Sequence, residues 1–439
     1  MTNKFKPEHM MFYEGLDKSQ WWSISEMEKY QFHHLNRLLD HAMQNNEYYR
    51  NTFASFYSRQ STILNSEMWQ QLPILKREDI QKTSGKLFSQ NIPSNHGKVH
   101  SISTSGSTGA AITVQKTELS NKVWLAQTLR DHIWHKRSLE KKLAIIRIFE
   151  SYVGKAPLGT TSKGWGPATN IINHHGSSHL LDINTPINIQ AEWLLNLDPE
   201  YILTYPNNIK ALADYFISNN LSLPALKEIR TLGEVVDNEI RKQCLSAWNV
   251  PLSDVYSSQE TGYIAIQCPE NNHYHMQSEN IYVEVLNDNN NPCQPGEIGR
   301  VIVTPLHNFA TPLIRYEIGD YAEVGEQCSC GRGLPVLNKI LGRSRNLFKL
   351  EDGEFFWPRT GMQEYRKYAP IIKSQLIQKS FSELELKVVA EKPLSKEECS
   401  TLVNVVMSFV KHDFTVTLNQ VEDISRSSNG KYEDVICMI

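Results

Sequence analysis

The sequence predicts an α/β protein: a large N-terminal domain of βαβ sheets with a small β subdomain, followed by a small C-terminal α+β lid domain. From about residue 142 to 256, short β-rich runs alternate with helical patterns; the runs are LAIIRIF, YILTY, EIRTL and SDVYS. Such alternation predicts βαβ units and a largely parallel sheet. After Arg343 the pattern restarts in the order β, β, α, β, with Ser395 and Glu398 spaced as a helix capping box.

The N-terminal part begins with helices. Residues 1–95 carry apolar side chains at helical spacing and predict a helical cap; examples are Leu35, Leu38, Leu39 and Met43. Residues 96–278 form the predicted α/β part. It starts with two strand patterns, VHSIST and AITVQKT, on either side of SGSTGA, so we expect a hairpin there.

The pattern changes again near residue 279. Residues 279–342 contain strand patterns only, such as NIYVEVLN and RVIVTPL, and they predict an antiparallel subdomain or small barrel. We therefore expect an N-terminal domain over 1–342, a hinge near 343–346 and a C-terminal domain over 346–439.

Composition limits the classes of partner. The formal net charge is -3, with 45 Lys and Arg against 48 Asp and Glu, so no overall field would attract nucleic acid or an anionic membrane. The N-terminus lacks the apolar run of a secretory signal, and the longest apolar stretches are too short to span a bilayer. We expect a cytoplasmic protein without nucleic-acid or membrane partners. Seven scattered cysteines favour reduced thiols or a metal site.

A loop rich in hydroxyls and glycines joins the two strands of the predicted hairpin. It consists of Thr104, Ser105, Gly106, Ser107, Thr108 and Gly109. Backbone N–H groups and hydroxyls in such a loop can converge on phosphate oxygens, which makes it a candidate phosphate cradle. An ordinary Ser/Gly turn is the alternative, since the lysine of a Walker loop does not follow.

Two carboxylates lie where strand patterns end. Glu260 closes the segment YSSQE after a predicted strand, at the carboxyl edge where ligands of open α/β sheets bind. It could hold Mg²⁺, and Tyr256 could stack on a base. Asp320 lies in a Gly-Asp turn and could accept hydrogen bonds from two ribose hydroxyls. The alternatives are a solvated loop with one acid and a plain turn.

Two cations lie near the predicted domain junction or in the small domain. Arg343 follows Gly342 at the junction and could reach a phosphate or a ribose. Lys431 ends the loop RSSNGK of the small domain. The alternatives are a solvated linker charge and an ordinary exposed lysine.

Three cysteines and a histidine have metal-ligand spacing. Cys328 and Cys330 form a close pair, and Cys268 with His275 lies about sixty residues upstream. Two such halves can build one tetrahedral Zn²⁺ site, which would be structural because four protein ligands leave no position for water. Free surface thiols and a solvated histidine are the alternative.

Together and in this order, these segments resemble the adenylate-forming superfamily of acyl-CoA synthetases and adenylation domains. The nearest likeness is to the phenylacetate-CoA ligase and CapK-like branch, from about residue 100 to the C-terminus. The resemblance implies an ATP site built from the loop at 104–109, Gly233 and Glu234 beside the adenine, Tyr256 to Glu260 with Mg²⁺, and Asp320 on the ribose.

The resemblance also implies roles for the remaining residues. Arg343 resembles the arginine after the hinge glycine, and Lys431 resembles the lid lysine that contacts the α-phosphate and the carboxylate. The cysteine and histidine run is similar to the zinc-bearing stretch of this branch. Trp165, Tyr205 and Gly262 fall where the family lines its acyl pocket.

The sequence departs from the family pattern at three places. Ser257 replaces the glycine usual after the motif tyrosine, and Gln259 replaces the threonine before the glutamate. The commonly acidic hinge position is Arg345, and Ala111 with Ile112 replaces a Pro-Lys pair.

The implied reaction is ATP-dependent activation of a carboxylic acid to an acyl-adenylate with release of pyrophosphate, followed by acyl transfer to coenzyme A. The branch alone favours an aromatic acid. Transfer to a carrier-protein thiol or an amine, adenylation of a hydroxyl, and a catalytically silent nucleotide-binding protein of a polysaccharide pathway are the alternatives. The oligomeric state is not indicated by the sequence.

Overall fold

The computed structural model describes residues 8–54, 65–83, 85–104, 111–149, 152–170, 172, 175–343, 347–352, 355–356, 358, 362–410, 412–425 and 433–439. The chain divides into two compact units, Met1–Leu341 and Gly342–Ile439. Each unit has its own hydrophobic core.

The helices of the first unit are α1 Glu8–Ser19, α2 Ile24–Asn45, α3 Glu47–Thr52, α4 Ser66–Gln70, α5 Arg77–Lys82, α6 Glu118–Trp134, α7 Ile187–Leu197, α8 Pro206–Ser218 and α9 Asn238–Trp248, with a 3₁₀ turn at Ser94–His96. Helix α2 begins at a capping box in which the side chains of Ser23 and Glu26 satisfy each other's backbone N–H groups. The apolar face predicted for this helix is buried in the main core, where Leu35 and Leu38 are fully inaccessible.

The strands that begin in the first unit are β1 Val99–Thr104, β2 Ile112–Thr117, β3 Lys142–Arg147, β4 Thr160–Lys163, β5 Ser177–Asp182, β6 Tyr201–Thr204, β7 Glu228–Leu232, β8 Leu252–Ser258, β9 Gly262–Gln267, β10 Tyr274–Met276, β11 Ile281–Leu286, β12 Ile298–Pro305, β13 Tyr316–Val324 and β14 Val336–Arg343, and the unit boundary falls before the last two residues of β14. Strands β1 and β2 form the predicted antiparallel hairpin. Strands β3 to β14 form one sheet in the order β11-β12-β13-β14-β10-β9-β8-β7-β6-β3-β5-β4.

The centre of this sheet is parallel. Strand β3 runs parallel to β5 and β6, and β6, β7 and β8 continue in the same direction. The four predicted β-rich runs are strands β3, β6, β7 and β8, and helices α8 and α9 connect β6, β7 and β8. Parallel strands joined by helices place their carboxyl ends along one edge, so this edge is where a ligand site is expected.

The strands after β8 are antiparallel. β9 returns along β8, β10 pairs with β9 and with β14, and β11, β12 and β13 pair in sequence. The antiparallel strands of the predicted small β subdomain are therefore present, and they are continuous with the parallel sheet through β10 instead of forming a separate sheet.

The second unit is a small α+β structure. Its elements are β15 Phe348–Lys349, β16 Phe355–Phe356, α10 Met362–Arg366, β17 Ile371–Gln378, β18 Glu383–Ala390, α11 Lys396–Val410, β19 Thr415–Gln420 and β20 Val435–Cys437. A four-stranded sheet has the order β19-β18-β17-β20, and α11 packs against β19. Ser395 and Glu398 make the predicted capping box, with the Ser395 N–H donating to Glu398 and the Glu398 N–H donating back to Ser395 Oγ.

Within the described ranges, none of the helices combines the length and the apolar character that a bilayer crossing requires.

Candidate nucleotide and metal sites

A tight hairpin at the carboxyl end of β8 carries Glu260. Ser258 pairs with Gly262 across the turn, and Ser258 Oγ accepts the Thr261 N–H at 3.1 Å. Gly262 adopts φ +94°, a left-handed conformation that glycine tolerates without steric cost. The ladder register shifts between Tyr256 and Ser257, and bulges of this kind redirect side chains next to active sites. The turn thus fixes a buried carboxylate at the ligand edge of the sheet.

The structure brings Tyr256 and Asp320 together. The Tyr256 hydroxyl donates to Asp320 Oδ2 at 2.7 Å. Tyr256 is buried on β8, and Asp320 lies in the middle of β13, so the turn expected at Asp320 is a strand position. A carboxylate offers about four lone-pair sites, so one phenol leaves acceptor capacity on Asp320 for other donors.

A neighbouring tyrosine and arginine connect this pair to the start of the predicted phosphate loop. Burial raises the pKa of Tyr316, and Glu260 and Asp320 raise it further, while Arg77 opposes them. The Arg77 guanidinium also donates to Thr104 Oγ1 at 3.3 Å. Arg77 therefore places positive charge between β13 and the end of β1. Arg77 was not among the predicted site residues, because nothing in its local pattern distinguishes it from a surface helix arginine.

Two more predicted segments reach the same edge. Gly233 follows β7 with φ +81°, and Glu234 accepts the Asn207 N–H at 3.0 Å near the start of α8. Tyr205 follows β6, is buried, and precedes the first residue of α8. Because β6, β7 and β8 are adjacent, these residues lie along the edge that carries Tyr256 and Ser257.

A small pocket of about 20 Å³, partly open to solvent, adjoins the Glu260 turn. Its walls include Glu260 itself, Gly262, Lys116 and Trp124. The Lys116 ammonium lies 5.2 Å from the centre of the Trp124 ring. Burial lowers the pKa of Lys116 to about 8, and the charge of Glu260 opposes that shift.

Lys116 was missed although the sequence contains a signal for it. In β2 the inward positions alternate as Ile112, Val114 and Lys116, and all three are buried. A lysine on the apolar face of an alternating strand indicates a buried charge, which needs a specific environment.

The structure does not bring Trp165 to this site. Its indole N–H donates to the Lys141 carbonyl just before β3 begins, and its ring lies 5.0 Å from that of Tyr201, the first residue of β6. Trp165 therefore lies at the amino edge of the parallel strands, opposite Glu260. The resemblance implied that Trp165 lines the acyl pocket, but the sequence could not show at which edge of the sheet this residue lies.

The remaining predicted site residues lie partly inside and partly outside the described residues. Ser105, Gly106, Ser107, Thr108 and Gly109 lie outside the described residues, as do Arg345 and Lys431. Thr104 is buried at the end of β1, and Arg343 is the exposed last residue of β14.

Cys268, His275, Cys328 and Cys330 form one cluster. Their ligand atoms all lie within 4.8 Å of one another. Cys268 Sγ is 3.8 Å from Cys328 Sγ, and Cys330 Sγ is 3.3 Å from His275 Nε2. A disulfide would need about 2.05 Å, whereas two thiolates on a tetrahedral zinc with bonds of about 2.3 Å are about 3.8 Å apart.

The histidine is prepared for ligation. His275 Nδ1 lies 3.3 Å from the Leu334 carbonyl, so Nδ1 carries the proton and Nε2 is directed to the thiols. Burial lowers the pKa of His275 to about 4, which keeps the ring neutral at neutral pH. The cluster therefore fits a four-coordinate metal and joins the loop after β9 to the segment before β14.

Comparison with known proteins relates this geometry to function. Residues 360–437 match the CapK C-terminal domain family. The chain is similar to the phenylacetate-coenzyme A ligase of Thermus thermophilus, with 28% identity over 197 residues, which are 42% of this chain and 44% of that protein. It is similar to the protein CapK of Staphylococcus aureus, with 23% identity over 64% of this chain and 60% of that protein.

The fold comparison covers nearly the whole chain. A 2-hydroxyisobutyryl-CoA ligase in the postadenylation state, in complex with R3-HIB-AMP, superposes with a TM-score of 0.73 at 18% identity, over 95% of this chain and 90% of that one. The fold is that of the adenylate-forming CoA ligases. The predicted resemblance and the predicted fold class are thereby confirmed. The chain spans about half the length of the curated relatives that it matches, so the activity of a CoA ligase enters below as a proposal.

Proposed function

We propose that this protein activates a carboxylic acid with Mg·ATP to an acyl-adenylate, releasing pyrophosphate, and transfers the acyl group to coenzyme A. The observation that carries the proposal is the hydrogen bond between Tyr256 and Asp320, which joins two segments of the family resemblance that lie 64 residues apart in sequence. The similarity to a phenylacetate-coenzyme A ligase and the fold shared with a CoA ligase that holds an acyl-AMP support it.

The roles follow from position and chemistry. Asp320 would accept hydrogen bonds from the ribose hydroxyls while Tyr256 fixes its orientation and offers a ring face to the base. The end of β7 at Gly233 would border the adenine. Thr104 and the loop after it would contact the phosphates, with Arg77 behind them.

Glu260 would hold Mg²⁺, which supplies positive charge to the phosphate oxygens. Lys431 would contact the α-phosphate and the substrate carboxylate, and Arg343 would reach the nucleotide from the junction.

The first step forms a bond from a carboxylate oxygen to the α-phosphorus and breaks the bond to the bridging oxygen of the β-phosphate, so pyrophosphate leaves. In the second step a thiolate attacks the acyl carbonyl, AMP leaves, and a thioester results. Neither step needs an oxidant. The protein contributes orientation, because the reactants have already lost their translational and rotational freedom on binding. It also contributes positively charged and hydrogen-bonding groups that stabilise the negative charge developing in the transition state.

The metal cluster has a structural role in this proposal. We propose zinc at Cys268, His275, Cys328 and Cys330, since three thiolates and one imidazole suit zinc and leave no open position. The metal would anchor the turn after β9, and thereby the hairpin that carries Glu260.

The experiment is a pyrophosphate-release assay over aryl, fatty, hydroxy and amino acids, with coenzyme A present and absent. Release that depends on both ATP and an acid, with an acyl-CoA thioester detected by mass, would support the proposal. Adenylate without thioester would instead indicate a carrier-protein or amine acceptor. If no acid causes pyrophosphate release, the proposal that this protein is an adenylate-forming enzyme is overturned.

A further inference from the structure

The proposed zinc site carries a charge that its four ligands do not balance. Three thiolates and one neutral imidazole around a divalent ion leave one net negative charge. Cys268, His275 and Cys328 are buried, so water screens this charge only weakly. A charged site inside a protein needs groups of opposite charge or hydrogen-bond donors around it. The residues that surround the cluster are therefore expected to supply them.

Arg332 is a buried cation beside the cluster. It follows Cys330 by two residues, and it is only 8% exposed. Its Nε donates to Gln20 Oε1 at 3.0 Å, whereas its Nη1 makes no hydrogen bond with the residues that the structure describes. Within those residues no carboxylate forms an ion pair with it. A buried guanidinium without a counter-charge is costly, so the negative charge that balances Arg332 has to come from another group nearby.

Two tryptophans hold the guanidinium next to the cluster. Arg332 Cζ lies 4.5 Å from the centre of the Trp134 ring and 5.1 Å from that of Trp21, and indole faces attract a cation. The Trp134 ring also packs against the His275 ring in a T-shaped arrangement, with centroids 5.8 Å apart. Burial would raise the pKa of the Cys330 thiol, but the backbone N–H and the guanidinium of Arg332 lower it. The charge of Arg332 therefore acts on a metal ligand.

Asn271 contacts two sulfurs of the cluster from the loop after β9. Its Nδ2 lies 3.5 Å from Cys328 Sγ and 3.7 Å from Cys268 Sγ. A metal-bound thiolate has no proton to donate, so the NH₂ end of the amide faces these sulfurs. The backbone N–H of Cys330 adds another donor, 3.3 Å from Cys328 Sγ. Donors in these positions favour the charged form of the thiols.

We infer that Arg332 and Asn271 complete the metal site, Arg332 by balancing its negative charge and Asn271 by donating to two of its thiolates. Both are positioning residues, because they act through the ligands and do not bind the metal. Arg332 is itself held by Gln20 and Trp21, which lie between α1 and α2, so the N-terminal helices contribute to metal retention. The inference rests on the proposed zinc site and is independent of the adenylation reaction.

The test measures zinc affinity at neutral pH by competition with a chelator of known affinity. Arg332→Met removes the charge and keeps the length of the side chain, and Asn271→Leu removes the donor and keeps the volume. Each should weaken zinc binding by about 10–100-fold, as removal of a partner of a metal ligand typically does. Asn272→Leu, at the exposed neighbouring position, is the matched control and should bind zinc like the wild type. Co²⁺-loaded variants should keep the visible spectrum of the wild type, because all four ligands are unchanged.

Two further variants separate charge from packing. Arg332→Lys keeps the positive charge and should recover most of the affinity that Arg332→Met loses. Trp21→Ala removes one of the two rings over the guanidinium at an exposed position, so it should weaken zinc binding by about two- to fivefold. This variant also keeps the test valid if Arg332→Met does not fold.

The outcomes separate this inference from the proposals on which it borders. Wild-type zinc affinity in Arg332→Met, Asn271→Leu and Trp21→Ala would overturn the inference and leave the zinc site in place. Equal losses in Arg332→Lys and Arg332→Met would overturn the role of charge. Wild-type protein that binds no zinc would overturn the zinc site and this inference with it, whereas pyrophosphate release would still test the adenylation proposal.

Discussion

The hydroxyl of Tyr256 donates to Asp320 Oδ2 at 2.7 Å, although the sheet order places β9, β10 and β14 between their strands. Neighbouring strands are about 4.8 Å apart, so four ladders in a flat sheet would separate the two strands by about 19 Å. The sheet must therefore curve strongly between β8 and β13. The short β10, with three residues, lies at the middle of that curve.

The first prediction tests this pair. Asp320→Ala should raise the KM for ATP by about tenfold to hundredfold, because hydrogen bonds to a charged group are worth about 1.5–3 kcal/mol. Tyr256→Phe keeps the ring and removes only the donor, so it should raise the KM less. A double-mutant cycle should give a non-additive result. If Asp320→Ala leaves ATP binding unchanged, Asp320 does not contact the nucleotide.

The second prediction concerns Glu260. Glu260→Gln preserves the size of the side chain and removes its charge, so we expect activity to require a much higher Mg²⁺ concentration or to be lost. Glu270→Gln, at an exposed position of the loop after β9, is the matched control and should behave like the wild type. The measurement is pyrophosphate release against Mg²⁺ concentration. An unchanged Mg²⁺ curve for Glu260→Gln would assign the metal elsewhere.

The third prediction concerns the cysteine and histidine cluster. Protein purified without chelator should contain close to one zinc per chain, and Cys330→Ser should lose the metal and lower the melting temperature. Cys399→Ser changes a thiol of α11 away from the cluster and should retain zinc. Prolonged treatment with a strong chelator should reproduce the stability loss of Cys330→Ser. Metal-free protein with full stability would contradict a structural metal.

Sequence patterns predicted the parts of the fold that local periodicity determines. The strands β3, β6, β7 and β8, the capping box at Ser395 and the clustering of the metal ligands could all be inferred from spacing. The pairing of Tyr256 with Asp320 could not, because it depends on the curvature of a sheet whose strand order is not sequential. The continuity of β11 to β14 with the parallel sheet could not be inferred either, because it also depends on the order of the strands in the sheet.

Side-chain environments were harder to infer. Trp165 was expected in the acyl pocket and lies at the opposite edge of the sheet, since residue number alone does not say at which end of a strand a loop packs. Lys116 carries no motif beyond its place on the apolar face of an alternating strand. Its position beside a pocket is a property of the tertiary structure.

The fourth prediction concerns the anchoring of α6, the helix that carries Trp124 and Gln127. Asp131 of this helix is fully buried, with Oδ2 at 3.1 Å from Arg137 and 2.6 Å from Arg230 of β7. Burial alone would raise the pKa of Asp131, but Arg137 and Arg230 outweigh it and hold the pKa well below its usual range. The ion pairs therefore fix the pocket helix to the sheet.

Asp131→Asn should lower the free energy of unfolding by about 3–5 kcal/mol at neutral pH, because it removes one of the two buried carboxylates that face Arg137 and Arg230 and leaves only Glu228 opposite them. A depressed carboxylate pKa stabilises the folded state above the unfolded pKa of about 3.9 and loses that contribution as the pH falls toward the folded pKa. The difference between variant and wild type should thus shrink below about pH 4. Asp288→Asn, in an exposed turn, is the control. Equal thermal stability of Asp131→Asn and wild type at pH 7 would contradict the anchoring role.

The last prediction concerns Lys431, which the sequence assigns to a lid that serves adenylation and is not needed for thioester formation. Lys431→Ala should slow the first half-reaction by about 10²–10³, by analogy with the loss of one preorganised donor at developing negative charge. Thioester formation from a supplied acyl-adenylate should remain largely intact.

Arg345→Pro restricts φ at the predicted hinge and should have the opposite profile, impairing transfer more than adenylation. Both half-reactions are measured for both variants by pyrophosphate release and by conversion of synthetic acyl-adenylate. If Lys431→Ala slows the two half-reactions equally, or Arg345→Pro slows neither, the two steps share one arrangement of the small domain, and the rotating-lid mechanism does not apply to this protein.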